Sequence, residues 1–230
     1  ALSLTSGSKR ATGGTLTFTG GPSWGASGEL DVSGSTLSAG QVLDLSSGTF
    51  SSDNSSLDLQ AATTLSSSAP VSFGEVNFNG NVLTLGSAST HLKVNDALAL
   101  SGIALETGAG SLTLSGALAL TDNASLNSSG GTITLVSGAS APSGTSISLP
   151  GTTLVLENPL SLTGATLKTN STTFTTNANA LSLSNSSILE VEGVQDLSGV
   201  STDGTGTLRL IANTSLNDNA ALSVGTLDLA

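Results

Sequence analysis

The stretch Ser111-Leu-Thr-Leu-Ser-Gly-Ala-Leu-Ala-Leu-Thr-Asp-Asn-Ala-Ser-Leu-Asn-Ser-Ser-Gly-Gly-Thr-Ile-Thr-Leu135 decides the fold. It opens on the apolar-polar-apolar triplet Leu112-Thr-Leu114, and the pattern returns 21 residues later as Ile133-Thr-Leu135. Alternation over so few residues marks a very short strand with one buried face. Between the triplets stand Leu118 and Leu126, set apart by Gly, Ser, Asn and Asp, which accept tight turns.

The interval holds far beyond this stretch. A first register runs through Leu30, Phe50, Val71, Leu92, Leu112, Ile133, Leu154, Phe174 and Val194 in steps of 20 or 21. A second runs through Leu45, Leu65, Leu85, Leu105, Leu126, Ile147, Leu167, Ile188 and Leu208. A third passes Leu16, Leu37, Leu57, Phe78, Leu98 and Leu118, lapses between Gly138 and Ser146, and resumes at Leu160 and Leu181. No segment holds a 3.6-residue apolar stripe long enough for a helix.

A period near 20 with three short strands per period predicts an all-β fold, a three-sided parallel β-helix in which each coil buries its inward residues against its neighbours. The expectation is one continuous solenoid over residues 1–230 with a corner loop around 137–146, where the third register lapses. At about 20.5 residues per coil it makes about 11 coils, and at about 4.8 Å per coil it is roughly 50 Å long. The flanking Leu, Val and Ile of each triplet then point inward, and the middle Ser, Thr, Asp or Arg points outward.

Composition agrees with a narrow aliphatic interior. Charged residues make up 9% of the 230, aromatics 3%, and Cys, Met and Tyr are absent. The formal net charge is −11, with Lys9, Arg10, Lys93, Lys168 and Arg209 as the whole basic complement. That balance excludes tracking a phosphate backbone and offers nothing to an anionic bilayer. No apolar run reaches the roughly 20 residues that span a membrane, and the N-terminus carries no leader pattern. A chain already mature, or excised from a longer one, is expected. The lack of cysteine removes disulfides, thiolate metal sites and cysteine nucleophiles.

Gly13-Gly-Thr-Leu-Thr-Phe-Thr-Gly20, Gly108-Ala-Gly-Ser-Leu-Thr-Leu-Ser-Gly116, Gly130-Gly-Thr-Ile-Thr-Leu135 and Gly204-Thr-Gly-Thr-Leu-Arg-Leu210 resemble the Gly-x-Gly-x-Leu-x-Leu repeats of bacterial autotransporter passenger domains and related large surface adhesins. The resemblance implies a right-handed β-helix displayed outside a Gram-negative cell as a stalk or adhesive rod. Coil length points to the same hand.

Candidate chemistry is sparse. Glu190 and Glu192 share one outward strand face, about 7 Å apart, a separation that suits an inverting glycosidase. Lys168 and Arg209 fall one coil to either side of Glu190, so a solvated ladder of ion pairs explains the same residues more economically. His91, the single histidine, precedes a strand with no nucleophile elbow near it and reads as an exposed turn residue. Calcium is the metal best matched to an oxygen-rich chain. Yet Asp31, Asp44, Asp58 and Asp228 stand singly at strand centres and read as dispersed surface acidity. Outward pairs such as Thr15-Leu-Thr17 and Thr132-Ile-Thr134 are the kind that bind ice when they recur in every coil, but Ser, Asp, Lys and Ala interrupt the series. Trp24, in an expected loop from Gly20 to Gly28, reads as a cover for the first coils rather than a sugar platform. Sequons such as Asn123-Ala-Ser and Asn213-Thr-Ser are chance matches in so Ser- and Thr-rich a chain.

The combined expectation is a non-catalytic extracellular surface protein, a structural rod, stalk or adhesin with no catalytic, cofactor or metal residues and no membrane insertion. A β-helical carbohydrate-active enzyme or glycan-binding spike is the alternative. The triplets at both ends, Leu2-Ser-Leu4 and Leu227-Asp-Leu229, lack polar caps. Further coils of a longer chain, or a second copy stacked head to tail, are therefore expected to cover them. Host or matrix glycans and proteins are the other partners expected of an adhesin.

Overall fold

The computed structural model describes residues 3–18, 20, 23–176, 180–197, 200–211, 214–217 and 222–230. Among them are thirty-one strands and no helix. Every strand pairs in parallel with one about a period away, the arrangement of a β-solenoid. The coil that begins at His91–Val94 turns into Leu98–Ser101 and then Ala104–Gly108 before Ser111–Leu114 returns above His91–Val94. These three positions define a first, a third and a second face, after the registers that supply them.

The second face is one ten-stranded sheet from Val42–Leu45 to Thr226–Leu229. The first face divides into sheets of three, six and two strands, and the third face into four and six. Nine coils carry a strand on all three faces, with a two-strand coil beyond each end among the described residues. Length alone gives eleven coils, because it counts those incomplete end coils as whole.

Inward alternation builds the core. Leu92, Leu112, Ile133 and Leu154 stack in register on the first face, Leu105, Leu126, Ile147 and Leu167 on the second, and all are buried. The corner from the third to the second face repeats a left-handed residue in coil after coil: Gly80, Gly102, Asn123, Gly144, Gly164 and Asn185. Only Gly and Asn-like residues take that conformation cheaply, so this corner fixes where the polar clusters of the sequence must fall.

Several expectations are corrected. The loop expected around 137–146 is interrupted by a strand: Ala139–Pro142 pairs with Leu118–Thr121 on one side and Leu160–Thr163 on the other. The third register is unbroken there because Ala139 and Ala141 take the places of larger apolar residues, which hides the repeat from a search for Leu. Ser137–Gly138 and Ser143 to Thr145 remain outside the strands, at the corners on either side of it. The segment from Gly20 to Gly28, expected as a loop, is largely the strand Ser23–Asp31, paired with Ser3–Arg10.

Inward positions also shift by one or two residues. Leu65 lies opposite Leu43 rather than Leu45, Leu105 opposite Leu83 rather than Leu85, and Leu57 opposite Val76 rather than Phe78. The observed partners are 22, 22 and 19 residues apart, just outside the interval of 20 or 21, so a strict count selects the apolar residue two positions away. Leu189, not Ile188, is the buried partner of Leu167. In the first register Val194 points out, 60% exposed, and Gln195 takes the interior. Gly193, with φ of 74°, turns the chain just before that strand and exchanges the two faces.

The interior is not wholly apolar. Buried Ser67, Thr90, Thr107, Ser128, Thr152 and Thr172 line the corner between the second and first faces. Their hydroxyls satisfy backbone and each other, as where Thr90 Oγ1 accepts the Ser67 N–H at 3.1 Å and Thr152 Oγ1 donates to Ser128 Oγ at 2.9 Å. Gln195 ends this column: its Oε1 accepts the Thr172 N–H at 3.0 Å, and its Nε2 donates to the Thr172 carbonyl.

Candidate functional site

Outward side chains on a parallel solenoid stack as the inward ones do, so residues a coil apart become neighbours. On the second face the central outward column runs Glu106, Asn127, Ser148, Lys168, Glu190, Arg209 and Asp228. The ladder expected around Glu190 is present: Glu190 meets Lys168 Nζ at 3.7 Å and Arg209 Nη1 at 3.5 Å. It is longer than expected. Arg209 Nε donates to Asp228 at 2.8 Å, and Asn127 Nδ2 donates to Glu106 at 2.8 Å. The Asp228 hydrogen bond, with help from Glu190, raises the Arg209 pKa above its ordinary value, so the guanidinium keeps its charge throughout the useful pH range.

Glu192 lies beside Asn170 in the next outward position and has no ion pair among the described residues. Glu190, Glu192, Lys168, Asn170, Ser148 and Pro150 border a groove of about 240 Å³, and a second groove of about 250 Å³ reaches from Pro150 past Asn127 to Glu106. Each falls short of the roughly 300 Å³ at which pockets begin to bury a small molecule. The carboxylate pair singled out in the sequence is thus built into a surface ladder, one member held between two cations.

The other candidates separate. His91 opens a strand rather than a turn, and its Nε2 lies 2.9 Å from Thr113 Oγ1. Asp31 accepts the Ser33 N–H at 2.9 Å and faces Arg10 at 3.3 Å. The Ser33 hydrogen bonds hold its pKa below the ordinary carboxylate value, opposed by burial and aided least by the Arg10 charge. Asp44 accepts the Ser46 N–H, and Asp58 accepts from Asn77 Nδ2. Each of the four aspartates has its own partner, and no group of three metal-ligating side chains occurs among the described residues. The side chain of Trp24 and residue Asn213 lie outside the described residues, and Asn123 sits in a corner.

Threonines are the surprise. Thr15 and Thr17 stand on the third face over Thr36 and Ser38, and the series fails there at Asp58. On the first face, however, Ser111 and Thr113, Thr132 and Thr134, Thr153 and Val155, and Thr173 and Thr175 form two columns over four consecutive coils. The interruptions expected from the sequence are confined here to one Ser and one Val. The signal was legible by aligning outward positions coil by coil; reading one triplet at a time mixes the three faces. The chain matches no known protein family, no curated protein and no solved structure.

Proposed function

We propose that this chain is a non-catalytic structural rod of the bacterial cell exterior, a stalk or adhesive segment with right-handed winding. What carries the reading is the ten-stranded second face, which ties successive coils from Val42–Leu45 to Thr226–Leu229 into one sheet. Across it the ladder from Lys168 to Asp228 binds four adjacent coils by their side chains. This uses the charged groups for cohesion between coils, as a stalk requires. The cell-surface setting comes from the likeness of its Gly-rich strand repeats to autotransporter passengers.

In this reading a further coil, from the same polypeptide or from a second copy, lies against the strand Thr226–Leu229, whose Leu227 and Leu229 are 58% and 73% exposed. Electron microscopy of the purified chain over a dilution series tests it. Straight rods about 50 Å long, joining end to end as concentration rises, are expected. Globular or branched particles at every concentration would sink the rod.

A further inference from the structure

The two columns on the first face have a regularity that core packing does not require, because these side chains point outward. Along a strand the paired positions are two residues apart, about 7 Å, and between coils they are about 4.8 Å apart. The oxygen rows on the prism plane of ice repeat at nearly the same two distances. Four coils of such pairs cover a patch about 14 Å long.

The chemistry of the eight positions fits an ordered water layer. Six are Thr, which presents a hydroxyl and a methyl from one stiff β-branched side chain; Val155 keeps that shape and loses only the hydroxyl, and Ser111 keeps only the hydroxyl. None is charged, in a chain of net charge −11. Neighbouring uses of hydroxyls are absent over most of the patch: Thr113 meets His91 and Ser111 accepts the Thr132 N–H, whereas Thr132, Thr134, Thr153, Thr173 and Thr175 make no side-chain hydrogen bond within the described protein. The supporting strands, Ser111–Leu114 to Thr173–Thr175, pair without a register shift, so the columns stay straight.

We propose that this face, from Ser111 to Thr175, binds ice. Methyls in fixed rows order the water above them, and hydroxyls at matching intervals join that water to the crystal. Lys93 and His91, one coil away, bound the patch on one side. The inference stands apart from the rod reading, since a rod needs no particular outward side chain.

The test is the growth of single ice crystals in a solution of the chain just below its melting point, with the gap between melting and freezing temperatures recorded. Faceted crystals and a measurable gap are expected. Thr134→Tyr, at the centre of the patch, should return both to the buffer value; Ser161→Tyr, exposed on the third face, should leave them unchanged; Val155→Thr should widen the gap. Circular dichroism of each variant checks that the coil stack is intact. Rounded crystals with the natural chain would overturn the proposal. So would equal activity in folded Thr134→Tyr, or Thr134-dependent adsorption to crystalline cellulose without effect on ice. None of these results bears on whether the chain is a rod.

Discussion

Gln195 ends a buried column that the repeat elsewhere fills with Ser or Thr, and it is fully buried. It is tolerated because both ends of its amide are used by the backbone of Thr172. Gln195→Ala would leave that N–H and carbonyl unpaired in the interior, at a cost of about 1–3 kcal/mol, read as a lower denaturant midpoint. Gly131 sets a second residue-level constraint. Its φ is 68°, and a Cβ there would stand 2.3 Å from the Gly110 carbonyl oxygen in the coil below. Gly131→Ala is therefore expected to destabilise by more than about 1 kcal/mol, visible as a drop in melting temperature. At this scale the sequence was a partial guide. Val194 falls at the right interval with the right hydrophobicity, yet one turn residue before it reverses its face, and a one-residue slip of this kind exchanges inside for outside along a strand. Nothing in the letters near 194 announces that slip.

Strands were far more legible than their exact pairing. The interval placed Lys168, Glu190 and Arg209 in one outward column, and their ion pairs are there. Asp228 lies one coil beyond Arg209, and the first-face threonines lie one coil from each other, so the ladder's last rung and the hydroxyl columns are set by the same coil spacing. Ala139 and Ala141 concealed a strand because small inward residues satisfy the pattern without looking like it. The ladder lies at the surface, where ion pairs are weak and screened by salt. Glu190→Gln should thus lower the melting temperature only slightly in dilute buffer, and the difference from the natural chain should vanish in concentrated salt. Asp31 adds a pH dependence. Its folded-state pKa is lowered by Ser33 and Arg10, so its stabilising contribution is complete above the ordinary carboxylate range and is lost as the pH falls through the lowered value. Melting curves of the natural chain and Asp31→Asn should differ near neutrality and converge in strong acid.

For the molecule as a whole, period and composition were enough to specify a parallel solenoid, since a chain so poor in aromatics and charge can bury its leucines in few other ways. The division of the first and third faces into separate sheets was not legible, because it depends on hydrogen bonds at coils whose side chains keep the same pattern. Each coil touches only its neighbours, so stability is a sum of local terms and need not be lost all at once. Hydrogen exchange should accordingly show the slowest amides in the second-face strands between Ala104–Gly108 and Thr166–Asn170, with protection falling toward both ends. Uniform protection along the chain would contradict this. The ten-stranded face has a mechanical consequence as well. Its interstrand hydrogen bonds lie along the rod, so a pull on the two ends loads them one coil at a time. Each coil of 20 or 21 residues that peels away releases about 70 Å of extended chain. A tether built this way holds its length under small loads and lengthens in equal increments under large ones, while the coils still stacked keep their shape.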